Sequence, residues 1–292
     1  MKFRKTAVAV ALASMVAAPL AQADVTLSGY IGIILEGSDE DDIDVFDDDG
    51  AFVEELRPGD PEFTSDDSSL NIAASAPMFG GLTAYGNYRL DSGLTGSTPA
   101  GDNVWIGFRG GFGDVRIGEV PDATEYGQVA NDALFDIGGE DAGISYTGVV
   151  GPVTFGANWS PQNNSDRTAV GVKFGAFGFG IGIGVADDDG DTLTSVGASF
   201  GIAGFSIAGA FKDFDNDFES VGIQIGYGIA GVSLNLTIED GTGDANDDES
   251  IVRFDVGYGL GGGMNVSGRV DSIESAGVED VVAYRVLLSK SF

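Results

Sequence analysis

The chain has 292 residues, of which 46 are acidic and 14 are basic, so its formal net charge is −32 at pH 7. This charge excludes nucleic acid as a natural partner, because the phosphates would be repelled. The chain has no cysteine and no histidine, which excludes disulfides, thiolate and imidazole metal ligands, and the commonest general base of enzymes. We therefore expect neither an enzyme nor a bound cofactor.

Residues 1–23 have the form of a secretory signal peptide. A basic start precedes an apolar run from Ala7 to Ala18, and Ala21-Gln22-Ala23 has the small-x-small form of a cleavage site. Cleavage would leave Asp24 at the N-terminus and residues 24–292 as one domain, with a net charge of −35 because three basic residues and no acid are removed. The alternative is a retained N-terminal anchor.

Apolar and polar residues alternate with a period of two through most of residues 24–292. In the first segment, Thr26 and Ser28 alternate with an apolar set formed by Val25, Leu27, Gly29, Ile31, Ile33 and Leu35. The same alternation returns in residues 232–239 and 282–292. Because successive side chains of a strand point to opposite faces, each segment is predicted to be a strand with one apolar and one polar face.

Two kinds of connection alternate between these segments. The short ones are rich in glycine and lie at residues 78–81, 111–113, 150–152, 176–178, 201–204, 228–231 and 260–263. The long ones are acidic and lie at residues 37–65, 91–101, 121–140, 161–166, 187–191, 213–217, 241–249 and 274–279. Seven short turns and eight long connections predict sixteen strands of roughly ten residues, the length that a tilted membrane strand needs.

The strand count decides which way the apolar faces point. Sixteen strands closed into a barrel would enclose an interior too wide for side chains to fill. The apolar face is therefore expected to contact lipid, which predicts an all-β transmembrane antiparallel barrel. The alternative is a soluble sandwich or barrel whose apolar faces form a packed core.

Most basic residues fall on the polar faces of the predicted strands: Arg89, Arg116, Arg167, Lys173, Lys212, Arg253, Arg269 and Arg285. A cation on the lipid face near the bilayer centre would cost about 2–4 kcal/mol, so its absence there is expected. We predict that these side chains line an aqueous lumen and influence which ions pass. The alternative is that they reflect the amphipathic pattern alone. The pattern does not determine the face of Arg109.

The connection from Pro121 to Glu140 differs from the other acidic stretches, because apolar residues such as Tyr126, Leu134 and Phe135 are interspersed among its carboxylates. Such a loop has the means to pack against another surface. We expect it to fold into the barrel and narrow the bore, with an ordinary surface loop as the alternative.

Residues 24–30, 82–88 and 105–118 resemble segments of the trimeric general porins of Gram-negative bacteria. The first two are similar to strands of that family, and the third is similar to the hairpin before its constriction loop. The terminal Phe292 resembles the family's assembly signal, which the barrel-assembly machinery reads. The resemblance implies sixteen strands, a homotrimer and a third external loop folded into the pore.

The family resemblance extends to residues 131–140, which are similar to the acidic tip of the constriction loop. It implies that Asp132 and Asp136 are constriction carboxylates with Glu140 close by, and we add Glu119, Asp122 and Glu125 to the candidate set. The sequence departs from the family where arginines are usual, because residues 68–72 contain none, Glu119 follows Gly118, and Thr147 stands in the sixth strand. A preference for cations is therefore expected.

These inferences predict an outer-membrane channel for passive diffusion of small hydrophilic solutes and ions. The alternative is a non-conducting barrel with a structural or adhesive role. In that case the acidic loops would bind lipopolysaccharide through loosely held divalent cations.

Overall fold

The computed structural model describes residues 24–38, 43–46, 52–57, 62–91, 100–129, 141–161, 166–188, 190–214, 218–243, 249–275 and 280–292. The predicted signal peptide lies outside these residues, as does the whole of the predicted loop tip at residues 131–140. Within the described ranges, no helix has both the length and the apolar character needed to cross a membrane.

Strands account for nearly all of the described structure. They are β1 (Asp24–Ser38), β2 (Ile43–Phe46), β3 (Phe52–Arg57), β4 (Glu62–Pro77), β5 (Thr83–Asp91), β6 (Ala100–Gly110), β7 (Gly113–Val120), β8 (Asp141–Val150), β9 (Val153–Pro161), β10 (Asp166–Ala176), β11 (Phe179–Asp188), β12 (Asp191–Ile202), β13 (Phe205–Phe214), β14 (Phe218–Ile229), β15 (Val232–Gly243), β16 (Glu249–Gly261), β17 (Met264–Ser275) and β18 (Val281–Ser291). A short 3-10 helix at Phe79–Gly81 lies between β4 and β5, and another at Ala123–Gly127 comes after β7.

β1 and β4–β18 close into one antiparallel barrel, in which neighbours in the chain pair and β1 pairs with both β4 and β18. The predicted sixteen-stranded all-β barrel is thus confirmed. Its strands run from 8 residues in β7 to 16 in β4, so several are longer than the ten residues expected. The first long connection also contains the β2–β3 hairpin, which the sequence pattern did not indicate.

The barrel is apolar outside and polar or small inside. In β11, Ile181 is 60% exposed and Ile183 is 44% exposed, while Gly182 and Gly184 between them are buried. The fully buried side chains include Ser145, Ser195 and Asp271. Burial is therefore reversed relative to a soluble protein, which excludes the soluble alternative and matches an outer surface that contacts lipid.

Three of the short glycine-rich turns share one geometry. Residues 177–178, 203–204 and 230–231 all have positive φ, with values of 54° and 84° at Phe177 and Gly178. Two successive residues of positive φ are the requirement of a two-residue type I′ hairpin turn, whose twist fits the strands that flank it. Glycine at the second position removes the strain there, so these turns hold neighbouring strands in register.

The C-terminal residue closes the seam between the first and last strands. Gly29 N–H donates to the Phe292 carbonyl at 2.9 Å, and Phe292 N–H donates to the Gly29 carbonyl at 3.0 Å. A Cβ at Gly29 would lie 2.8 Å from the ring atom Cε2 of Phe292, so the ring covers the gap that this glycine leaves in the apolar face of β1.

Candidate functional site

The chain turns into the barrel directly after β7. The 3-10 helix Ala123–Gly127 packs on the inner faces of β9, β10 and β11. The Ala123 N–H donates to the Asn158 side-chain oxygen at 2.7 Å. Ala123 also forms a small buried cluster with Ala169 and Ala186, against which Tyr126 packs. The described start of the 121–140 connection therefore lies against the interior wall.

The wall beneath this segment is built from inward-facing glycines, which we call the glycine track: Gly156, Gly171, Gly182 and Gly184. A Cβ at Gly182 would lie 2.8 Å from the carbonyl carbon of Gly127 and closer still to its oxygen. A Cβ at Gly171 would meet the Gly127 nitrogen at 2.8 Å. Backbone thus touches backbone, an approach that only glycine permits.

Asp122 fastens the segment to the wall. Its carboxylate accepts the Thr124 N–H at 2.8 Å and the Thr124 hydroxyl at 2.6 Å, which caps the helix. Its other oxygen accepts from Arg167 Nε at 2.7 Å, and Arg167 also donates to Asp188 at 3.2 Å. The Asp122 and Arg167 side chains are 1% and 8% exposed. Asp122 is therefore committed to an internal ion pair and does not face the open bore.

The other predicted constriction acids occupy different places. Glu125 lies in the same 3-10 helix and is partly buried. Glu119 accepts the Val104 N–H at 2.7 Å and pairs in register with the exposed Ala142, so it lies on the outward face at the end of β7. Its carboxylate is therefore not on the face that Asp122 occupies. Asp132, Asp136 and Glu140 lie outside the described residues.

Tyr126 is a wall contact that the sequence showed only as one of several apolar residues. A Cβ at Gly156 would lie 2.8 Å from its ring carbon Cγ. Burial raises the pKa of the Tyr126 hydroxyl, an effect that Arg116 opposes and Glu125 reinforces. The phenol is thus a neutral, protonated group near neutral pH, and it contributes no charge to the bore.

Carboxylates hold most of the described wall cations. The nitrogen–oxygen distances are 2.7 Å for Arg89–Asp91, 3.1 Å for Lys212–Glu239, 2.8 Å for Arg253–Asp271 and 2.8 Å for Arg269–Asp255. Arg253 on β16 is directly opposite Asp271 on β17, and Asp255 on β16 is directly opposite Arg269 on β17. The cation is thus on β16 in the first pair and on β17 in the second. Such cross-strand pairs neutralise charge where it would otherwise face an aqueous interior.

Two further predicted wall cations also face the interior. Arg285 is opposite Glu36 on one neighbouring strand and opposite Arg269 on the other. Lys173 is opposite Gly182 and is half-buried.

Arg109, whose face the sequence did not determine, points into the barrel with an arginine–aromatic cluster formed by Tyr85, Trp105, Arg109 and Arg116. The Arg109 guanidinium lies 4.8 Å from the Tyr85 ring centroid, and that of Arg116 lies 4.6 Å from the Trp105 centroid. The two rings meet edge to face at 5.0 Å. Arg116 Nε donates to the Tyr85 hydroxyl at 3.2 Å, and that hydroxyl donates to Asp114.

A metal centre is not evident in the part of the chain that the structure describes, where no group of three or more acidic side chains is placed to hold an ion. Most of the acidic loop residues lie outside the described ranges. Loosely bound divalent cations therefore stay a prediction for those loops.

Comparison with known proteins agrees with this architecture. Residues 6–277 match the family described as Gram-negative porin. A triple mutant of Rhodopseudomonas blastica porin is 15% identical with a TM-score of 0.73, over 92% of this chain and 100% of that one. A loop-deletion mutant of OmpT, an outer membrane protein of Vibrio cholerae, is 14% identical with a TM-score of 0.70, over 92% of this chain and 99% of that one. No curated protein matches the chain.

At these identities the solved structures show a shared fold, and the family match extends over most of the sequence. The chain therefore belongs to the Gram-negative porin family, as a multi-pass β-barrel protein of the outer membrane.

Proposed function

We propose that the protein is a passive, water-filled channel for small hydrophilic solutes and ions, with no enzymatic activity. The observation that carries the proposal is the distribution of polarity around the closed barrel. Its outer surface is apolar, whereas its interior carries arginines, lysine and carboxylates in matched pairs. Charged side chains in such number require water around them, and an aqueous interior open at both ends is a diffusion path.

We propose further that the channel prefers cations. Arg167, Lys212 and Arg253 are each within 3.1 Å of a carboxylate oxygen, so their charges contribute little net field. The chain as a whole carries a net charge of −32. A field of this sign raises the local concentration of cations at the channel mouths.

The described start of the third connection supports an inward course for the rest of that loop. We propose that Asp132, Asp136 and Glu140 then line the narrowest part of the bore, with Glu125 near its entrance. Asp122 and Glu119 are assigned other roles by their contacts, as an anchor to Arg167 and as a cap on the β6–β7 ladder.

Family membership supports three partners. We propose a homotrimer in the outer membrane, with lipid and lipopolysaccharide around it, assembled by the barrel-assembly machinery through the strand that ends at Phe292. Phe292 is 63% exposed on the outer surface of the barrel.

Planar bilayer recording tests the function. Purified protein in detergent should insert in discrete conductance steps, and a KCl gradient should give a reversal potential of the sign that cation preference requires. Reversal of the opposite sign would contradict the cation preference. Absence of steps from correctly folded protein would contradict the channel and favour a structural or adhesive barrel.

A further inference from the structure

The arginine–aromatic cluster is an exception to the charge pairing of the wall. Arg109 is exposed to the barrel interior, and no carboxylate among the described residues is within ion-pair distance of it. Arg116 is 3.8 Å from Asp114, a longer distance than in the other ion pairs of the wall described above. The same carboxylate also accepts from Tyr85. The cluster thus contains two guanidinium groups and one carboxylate, which leaves an excess positive charge.

The two guanidinium groups are held in defined planes. Each lies over an aromatic ring, and the hydroxyl of Tyr85 fixes Arg116 from the side. Trp105 is itself held, because its indole N–H donates to the Asn103 side chain at 2.7 Å. Groups that are ordered in advance lose less conformational entropy when a ligand binds. The cluster is therefore organised before any solute arrives.

The cluster extends from the middle of β6 and β7 toward the short-turn end of the barrel. Arg109 is opposite Asp114 in register, and only the Gly110–Gly113 pair and the turn at residues 111–112 lie beyond them, whereas Trp105 is opposite Gly118. A solute that travels through the bore passes this patch at the end opposite the acidic loops.

We propose that the arginine–aromatic cluster is a binding subsite for small oxyanions, either the carboxylate of an organic acid or inorganic phosphate. The planar guanidinium fork matches the geometry of both groups and donates two parallel hydrogen bonds to them. Arg109 supplies the free fork, and Arg116 supplies a second charge that Asp114 only partly neutralises. The inference rests on the proposed channel, whose bore a bound oxyanion would narrow.

Single-channel recording in KCl tests the subsite. Sodium phosphate added to the short-turn side should reduce the mean current in a saturable manner, and succinate in a second series shows whether a carboxylate serves as well. Arg109→Gln should raise the half-blocking phosphate concentration by about tenfold, the change expected from loss of one charge-assisted hydrogen bond. Arg109→Lys, which keeps the charge and lacks the fork, should weaken the block to a smaller extent.

Lys173→Gln is the matched control, because it removes one inward-facing charge on β10 outside the cluster. Its half-blocking concentration should stay within about twofold of the wild-type value. An equal loss of block in Lys173→Gln would overturn the subsite in favour of a diffuse positive field. Unchanged block in Arg109→Gln, or a wild-type channel that neither anion blocks, would also overturn it. A protein without any conductance would contradict the channel itself, which is a separate result.

Discussion

Substitution in the glycine track should detach the third loop from the wall. In Gly182→Ala, the new Cβ would lie 2.8 Å from the Gly127 carbonyl carbon and 3.1 Å from a methyl of Val129. Ordinary carbon–carbon contact is about 3.5–4.0 Å, so the carbonyl carbon alone requires the two backbones to separate by roughly 1 Å, and the closer carbonyl oxygen requires more. No side-chain rotation relieves this overlap, because the atoms that meet the new methyl first belong to the backbone of Gly127.

Overpacking of this kind costs about 1–3 kcal/mol. The strands cannot yield easily, since β11 is bonded along its whole length to β10 and β12. The described start of the loop has no ladder of backbone hydrogen bonds to the wall, and we expect it to move instead. We therefore expect Gly182→Ala to fold as a barrel with higher single-channel conductance and a larger size limit for neutral sugars.

Gly257→Ala provides the control. This glycine also faces the interior, and its Cβ would meet only the Ser233 hydroxyl oxygen at 2.6 Å, which belongs to a side chain that can rotate. Its conductance should equal that of the wild type. Equal conductance and an equal sugar size limit in Gly182→Ala and wild type would refute the argument that backbone contact at this track determines the bore.

Two further substitutions and one deletion test the internal charges and the closing seam. Asp122→Ala should cost about 3 kcal/mol, at the lower end for a broken buried pair because Arg167 keeps Asp188. It should also make the third loop sensitive to added protease, and resistance equal to wild type would argue against the anchor. Arg253→Gln leaves Asp271, which is 0% exposed, without its guanidinium, and should lower the free energy of unfolding by about 3–5 kcal/mol in urea titrations of the detergent-solubilised protein. The double variant with Asp271→Asn should recover most of that loss, and an unchanged midpoint in the single variant would exclude a stabilising role. Deletion of Phe292 removes the two backbone hydrogen bonds to Gly29 and should reduce the fraction of chains recovered as folded barrel from outer membranes, whereas undiminished recovery would show that the seam closes without it.

The acidic residues at the start of the third loop have contacts that the sequence does not predict. Asp122 was predicted to be a constriction carboxylate because it is acidic and lies in the loop. Its partner Arg167 is 45 positions away in the chain, and only the closed barrel brings them to 2.7 Å. Glu119 was grouped with it for the same reason, yet its pairing with Ala142 turns it to the other face. In both cases the sequence shows the carboxylate but does not show which residue it contacts.

The glycines of β10 and β11 illustrate the same limit. In the sequence they indicate strands with small residues, and glycine inside a strand weakens it. Their function appears only when the backbone of Gly127 is seen against Gly182. The role of such a glycine depends on which group fills the space where a side chain would be. That group comes from a distant part of the chain.

The sequence by itself determined the number of barrel strands, the two faces of most of them and the inward position of the wall cations, because alternation of period two and tight glycine turns act between adjacent residues. Only the tertiary structure decided which carboxylate neutralises which cation, that Arg109 faces inward, and where the third loop meets the wall. These depend on register around a closed ring, where residues far apart in the chain become neighbours through hydrogen bonds that the local pattern does not encode.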